Sequence, residues 1–181
     1  MGLVTRAWRG LARGLVLVLV VAAAGQPPAA AQPLEYAVKA AYLVKFPNYV
    51  EWPAPVFATP TAPLVLCVVG EDPFGSVLDE AATGQQVQGH PLVVRRLKAP
   101  ARDSGCHVAY VAGDRRAETL RGAAGTLVVT DGAATAGIIH FVVRDNRVRF
   151  TVDDEAAAQS GLVISSKLLN VALSVKPRGK V

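Results

Sequence analysis

Two cysteines, Cys67 and Cys106, are the only ones in this 181-residue chain, and each sits inside a short apolar run, PLVLCVVG and CHVAYVAG. In an exported protein such a pair defaults to a structural disulfide. In a reducing compartment the same pair reads as metal-binding or catalytic. The compartment therefore decides how far these two residues constrain the fold.

The first thirty residues read as an export signal. Arg6, Arg9 and Arg13 form a basic stretch without an acid, followed by the apolar run Leu15 to Ala24, LVLVLVVAAA. That run is too short for a bilayer core, which takes about twenty residues, but it suits the apolar part of a signal peptide. Ala29-Ala30-Ala31 satisfies the small-x-small cleavage pattern and makes Gln32 the first mature residue. A cut after Ala24 and an uncleaved anchor helix are the alternatives. No lipobox-type cysteine follows the apolar run to take a lipid, and no later stretch approaches the length of a span. The expectation is a signal peptide at 1–31 and one periplasmic domain at 32–181. Removing the signal takes away three arginines and no acid, so the formal charge falls from +5 to +2. The high pI belongs partly to the leader, and the mature domain does not read as a nucleic-acid binder. About 150 residues suit a single core.

The mature chain alternates helical and strand patterns. Leu34 to Tyr49 is predicted helical, with Leu34, Val38, Tyr42, Lys45 and Tyr49 near one face; Pro47 should end or kink it. Leu64 to Val69 is wholly apolar, as in a buried strand. Asp72-Pro73 places a capping acid before a proline and predicts a helix to about Ala82. Pro91 to Leu97 and His107 to Ala112 read as strands, Asp114 as the cap of a helix over Arg115 to Ala123, and Leu127 to Thr130 as another strand. Ile138 to Val143 and Arg147 to Val152 flank Arg144-Asp145-Asn146, a hairpin signal. A short helix over Glu155 to Ser160 ends at Gly161. Ser166 starts a last helix in which Leu168, Ala172 and Val175 share a face. The order predicts a three-layer, Rossmann-like α/β domain with a mixed, mainly parallel sheet ending in an antiparallel hairpin.

Chemistry is hard to find in this sequence. Gly70-Glu71-Asp72-Pro73-Phe74-Gly75 lies where phosphate loops lie, but no Lys-Ser/Thr follows, and two acids at the helix start would repel an anion. Cys106 and His107 are adjacent on a predicted strand and point to opposite faces, so they form no dyad. His90, His107 and His140 lack metal-site spacing and read as strand-edge or surface histidines. Ser165-Ser166-Lys167 lacks the serine three residues before lysine that serine–lysine hydrolases need. Asp153-Asp154-Glu155 favours a helix dipole and lacks the ligand repeat of a calcium loop. With no catalytic residues, metal ligands or cofactor site assigned, an exported binding or regulatory module is favoured over an enzyme. Trp52, the one tryptophan left after the leader, either packs over the first helix or contacts a ligand or partner.

Several segments resemble the YfiR family of periplasmic proteins. They are Val38-Lys39-Ala40-Ala41-Tyr42-Leu43 with Val50-Glu51-Trp52-Pro53, Leu66-Cys67-Val68-Val69-Gly70 with Asp72-Pro73-Phe74-Gly75, Val93-Val94-Arg95-Arg96-Leu97, and Cys106-His107-Val108. Further along are Leu127-Val128-Val129-Thr130-Asp131, Gly137-Ile138-Ile139, Val148-Arg149-Phe150, and Gly161-Leu162 with Ser165-Ser166-Lys167-Leu168-Leu169. The resemblance implies an α/β homodimer that binds the periplasmic sensor region of a membrane diguanylate cyclase and holds it inactive. It also implies an outer-membrane lipoprotein that sequesters the repressor. Cyclic di-GMP and biofilm then follow the repressor's availability. The alternative is a small-ligand-binding module that feeds a membrane sensor. Cys67 and Cys106 match one disulfide of the family. The second one, in the region of residues 133–150, has no counterpart here, so a redox switch does not carry over. Asp153 stands where the family often has asparagine, which places an extra charge at a candidate contact surface.

Overall fold

Leu64, Leu66 and Val68 alternate with Val65, Cys67 and Val69, and all but the half-buried Val65 are buried. Apolar matter on both sides of one strand requires cover on both faces of the sheet. The computed structural model describes residues 31–112, 115–132 and 137–179. The predicted export signal, apart from its last residue, and the predicted cap Asp114 lie outside the described residues.

The strands are β1 (Val50–Glu51), β2 (Leu64–Val69), β3 (Gln86–Val87), β4 (His90–Leu97), β5 (Val108–Ala112), β6 (Leu127–Asp131), β7 (Ile139–Arg144), β8 (Arg147–Asp153), β9 (Val163–Ile164) and β10 (Ser174–Lys176). The α-helices are α1 (Ala31–Lys45), α2 (Ser76–Ala82), α3 (Asp154–Gln159) and α4 (Ser166–Leu169). Eight strands form one sheet in the order β10-β8-β7-β6-β5-β2-β4-β3. Neighbours from β4 through β7 run parallel, β7 and β8 form an antiparallel hairpin, and β10 lies parallel to β8 outside it. β1 and β9 make a separate two-stranded antiparallel piece. This is the mixed, mainly parallel α/β sheet that the sequence predicts.

The two faces of the sheet are covered unequally. Leu64, Leu66, Val68, Val108, Tyr110, Leu127, Val129, Ile139, Phe141, Phe150 and Val152 share the main core with α1 and α2. Tyr42 and Phe46 stack against Phe141 and Phe150 with ring centroids 5.0–6.1 Å apart, which seats α1 and the turn after it on the hairpin. The opposite face holds a smaller cluster of Cys67, Val69, Cys106, Ala109, Val111 and Val128 beneath Ala117 and Leu120 of a 3-10 helix, Arg115–Leu120. The Cys67–Cys106 disulfide lies in this thinner layer, with Cα atoms 5.8 Å apart.

Four local expectations change. In α1 the buried residues are Lys39, Ala40, Leu43 and Val44, while Leu34, Val38 and Tyr49 of the predicted face are exposed. The helix has turned toward the face that carries the aromatic contacts. α2 begins at Ser76, because Gly75 adopts a positive φ of 54° that no helix continues. Asp72 caps the turn before it, accepting from the Phe74 and Gly75 N–H groups. The predicted helix at 115–123 is a shorter 3-10 turn. The last helix stops at Leu169, and Ser174–Lys176 pairs with Thr151–Asp153 as an edge strand that sets Val175 beside Val152. Pro47 does end α1, and a 3-10 turn over Phe46–Tyr49 follows.

A disulfide joining residues 39 apart removes loop entropy from the unfolded chain, worth at most ~4 kcal/mol on the chain-entropy treatment. Cys67→Ser is expected to lower the melting temperature by several degrees. The protein should take up no thiol label, folded or unfolded, until it is reduced.

Candidate functional site

Lys39 is the most deeply buried charged side chain among the described residues, at 2% exposure. It lies in α1 with Tyr36 and Leu43 as helical neighbours, on the side that packs against the sheet. A buried ammonium must find carboxylate partners. Lys39 Nζ donates to Asp131 Oδ2 at 2.6 Å and to Glu35 Oε1 one turn earlier on the same helix. Asp131 ends β6 at the carboxyl edge of the parallel strands. Its Oδ2 also accepts from the Tyr110 hydroxyl at 2.9 Å, and its Oδ1 from the Gly132 N–H at 2.8 Å. The ring of Tyr36 lies 4.9 Å from the ammonium.

The titration of these groups follows from their setting. Burial disfavours the Lys39 charge, but hydrogen bonds and charges from Asp131 and Glu35 outweigh it and hold the ammonium above the ordinary lysine value. Burial, and then the Asp131 charge, push the Tyr110 phenol far above ordinary tyrosine. Beside this cluster lies a cavity of about 550 Å³, lined by Glu35, Tyr36, Lys39, Ala112, Asp131, Gly132 and His140 to Val143. A lysine kept protonated is no nucleophile at neutral pH. The arrangement is chemically suited to holding a polar ligand.

The residues singled out from sequence lie elsewhere. Trp52 is half-buried; its indole N–H donates to the Gly125 carbonyl at 3.1 Å and its ring edge meets Phe57. A side chain on Gly125 would fall 2.2 Å from Val56, so the chain there approaches as only glycine allows. Asp153 caps α3 by accepting from the Ala156 N–H at 2.8 Å, and it pairs with Lys176 at 3.3 Å. Gly125 N–H donates to Ser160 just past α3, so Trp52 and Asp153 sit toward opposite ends of that helix.

Two histidines depart from the surface reading. His90 and His107 stack on either side of Phe57, with ring centroids 3.8 and 4.6 Å away. His107 Nδ1 accepts from the Val65 N–H, and burial lowers its pKa. His140 lines the cavity and contacts Thr130 Oγ1 at 3.0 Å. In the glycine loop, Asp72 occupies the amides that a phosphate would use, and Arg96 bridges Asp72, Asp79 and the Gly75 carbonyl. No group of three or more His, Cys, Asp and Glu side chains converges among the described residues, and none of the described helices is long and apolar enough to cross a membrane.

Sequence reasoning did not single out Lys39 or Asp131. The available signal was a lysine flanked by apolar helical neighbours and an aspartate closing the apolar run LVVTD.

The fold is a mainly parallel α/β domain with a cross-linked sheet and a polar cavity at the carboxyl edge of its parallel strands. Residues 36–173 match the family described as YfiR/HmsC-like. The chain belongs to that family, which is periplasmic and regulatory rather than catalytic. No curated protein matches the chain.

Lys39→Met leaves Asp131 buried without its cation. It is expected to cost about 3–5 kcal/mol in urea denaturation, with a large part recovered in Lys39→Met/Asp131→Asn. Lys39 and Tyr110 are both raised in the fold, so their contribution is complete below the ordinary values of 10.5 and 10.0, respectively. As pH climbs past those values, the unfolded chain gives up protons that the folded chain keeps, and stability falls. Tyr110→Phe should make this alkaline loss shallower in melting curves taken between about pH 9 and 11.

Proposed function

We propose that this protein binds the periplasmic sensor region of a membrane diguanylate cyclase and represses it, so that its availability sets cyclic di-GMP and biofilm formation. Family membership over residues 36–173 carries the reading. The Cys67–Cys106 bond agrees with an oxidising compartment. An outer-membrane lipoprotein that sequesters the repressor, and a homodimeric repressor, belong to the same proposal. Trp52 and Asp153 are its candidate contact residues. Deleting the gene in a strain that expresses the cyclase should raise cyclic di-GMP several-fold, and an exported copy should reverse the rise where a leaderless copy does not. Unchanged cyclic di-GMP in that strain would overturn the reading. Sedimentation at the protomer mass would remove the dimer from it.

The cavity beside Lys39 favours a second reading, a small-ligand module that feeds a membrane sensor. Amino acids or nucleotides that occupy it should raise the melting temperature in a manner abolished by His140→Ala. A flat response across both sets counts against this reading.

A further inference from the structure

The face of the β7–β8 hairpin that points away from α1 has no apolar cover among the described residues. The thin layer on that side reaches β2, β5 and β6 and contains no residue of β7 or β8. Along this open face stand Arg144, Arg147 and Arg149, all exposed. They alternate with the core-facing Val148 and Phe150, so strand geometry puts all three on one side.

These arginines differ from the other cations near them. Lys39, Arg96, Lys176 and Arg178 each hold a carboxylate. Arg144, Arg147 and Arg149 form no ion pair with any described residue, although they line a cleft of about 380 Å³ with Asp145 and Leu173. Arg144 and Arg147 are also direct cross-strand partners, an arrangement of like charges that weakens a hairpin. The turn between them, Asp145-Asn146, takes positive φ at both positions, 51° and 56°. That conformation suits a tight two-residue hairpin turn and fixes the two guanidinium-bearing residues opposite each other.

We propose that this arginine face is the docking surface for an acidic, extended segment of a protein partner, with carboxylates at alternate positions. Arg147 and Arg149 are two residues apart on one strand, about 7 Å along it, which is the spacing of same-side residues in an extended partner. Planar guanidinium groups pair carboxylates bidentately, and three of them on one rigid hairpin select a line of negative charge. An anionic lipid surface fits less well. Binding there would call for apolar side chains flanking the arginines, and on this face Val142 is half-buried while Leu173 is the exposed aliphatic in the cleft. That the partner is the sensor region of a cyclase rests on the function proposed above; the docking chemistry does not.

The test uses full mature protein and a fluorescein-labelled peptide with glutamate at every second position, read by anisotropy at low ionic strength. Wild type should bind, Arg147→Glu/Arg149→Glu should weaken binding at least tenfold, and Lys98→Glu, an exposed cation elsewhere, should not. Arg147→Gln/Arg149→Gln serves if the charge reversal disturbs folding. Equal peptide binding by wild type and the arginine variants overturns the proposal, as does no binding by wild type. Arginine-dependent binding to phosphatidylcholine–phosphatidylglycerol vesicles without peptide binding overturns it in favour of a lipid surface. A second arm titrates the purified sensor region of the cyclase. Loss in the arginine variants alone supports the proposal. Equal binding by wild type and variants in that arm overturns it and leaves the proposed function standing. If the peptide binds in an arginine-dependent way and the sensor region does not bind at all, the docking surface stands and the cyclase reading falls.

Discussion

The contact between Lys39 and Asp131 is the constraint on which the arrangement of α1 depends. A lysine carried on the buried side of a helix cannot be left uncompensated, because its desolvation exceeds what packing alone returns. It therefore fixes the helix both along its axis and in rotation. With Nζ at 2.6 Å from the carboxylate that ends β6, α1 cannot slide a turn along the sheet or roll to present Val38 inward. Tyr42 and Phe46 are thereby delivered to Phe141 and Phe150. The same carboxylate takes the Tyr110 hydroxyl, so one oxygen ties the helix, β5 and β6 together. Replacing such a network with apolar residues would not necessarily lower stability; what the network supplies is a unique seating for the helix.

The disulfide answers a different problem on the other side of the sheet. The main core takes residues from all four α-helices, whereas the opposite layer has one 3-10 turn and a handful of small residues. Ala109, Ala117 and Val128 offer little area for burial. A covalent link between β2 and the start of β5 holds the central strand pair where hydrophobic cover is thinnest, and it acts largely through the unfolded chain. The two faces are thus stabilised by different means.

What could be read from the sequence followed from local periodicity. Wholly apolar runs such as Leu64–Val69 reveal a strand buried on both faces, and the alternation of Val148, Phe150 and Val152 with arginines reveals a one-sided strand. The parallel order and the hairpin come from those patterns. The misreadings arose where two periods fit one segment or where the deciding partner is remote. Leu168 to Val175 satisfies a helical stripe, yet Ser174-Val175-Lys176 also alternates, and pairing with Thr151–Asp153 decides for the strand. Lys39 looks like an ordinary helix-surface residue because its carboxylate lies 92 positions away. His90 and His107 read as surface residues because the ring between them, Phe57, belongs to an irregular segment without a pattern of its own.

The unequal covering of the sheet also bears on recognition. A protein that regulates by contact needs a surface that is rigid before the partner arrives, since ordering side chains on binding costs affinity. The hairpin meets that need: its inner face is held by four aromatic rings and its tight turn by two residues at positive φ. The arginines therefore project from a backbone that is already fixed. Asp153 and Glu155 lie at the other end of β8 from the turn and engage Lys176 across β10, so the arginines beside the turn form no ion pair among the described residues.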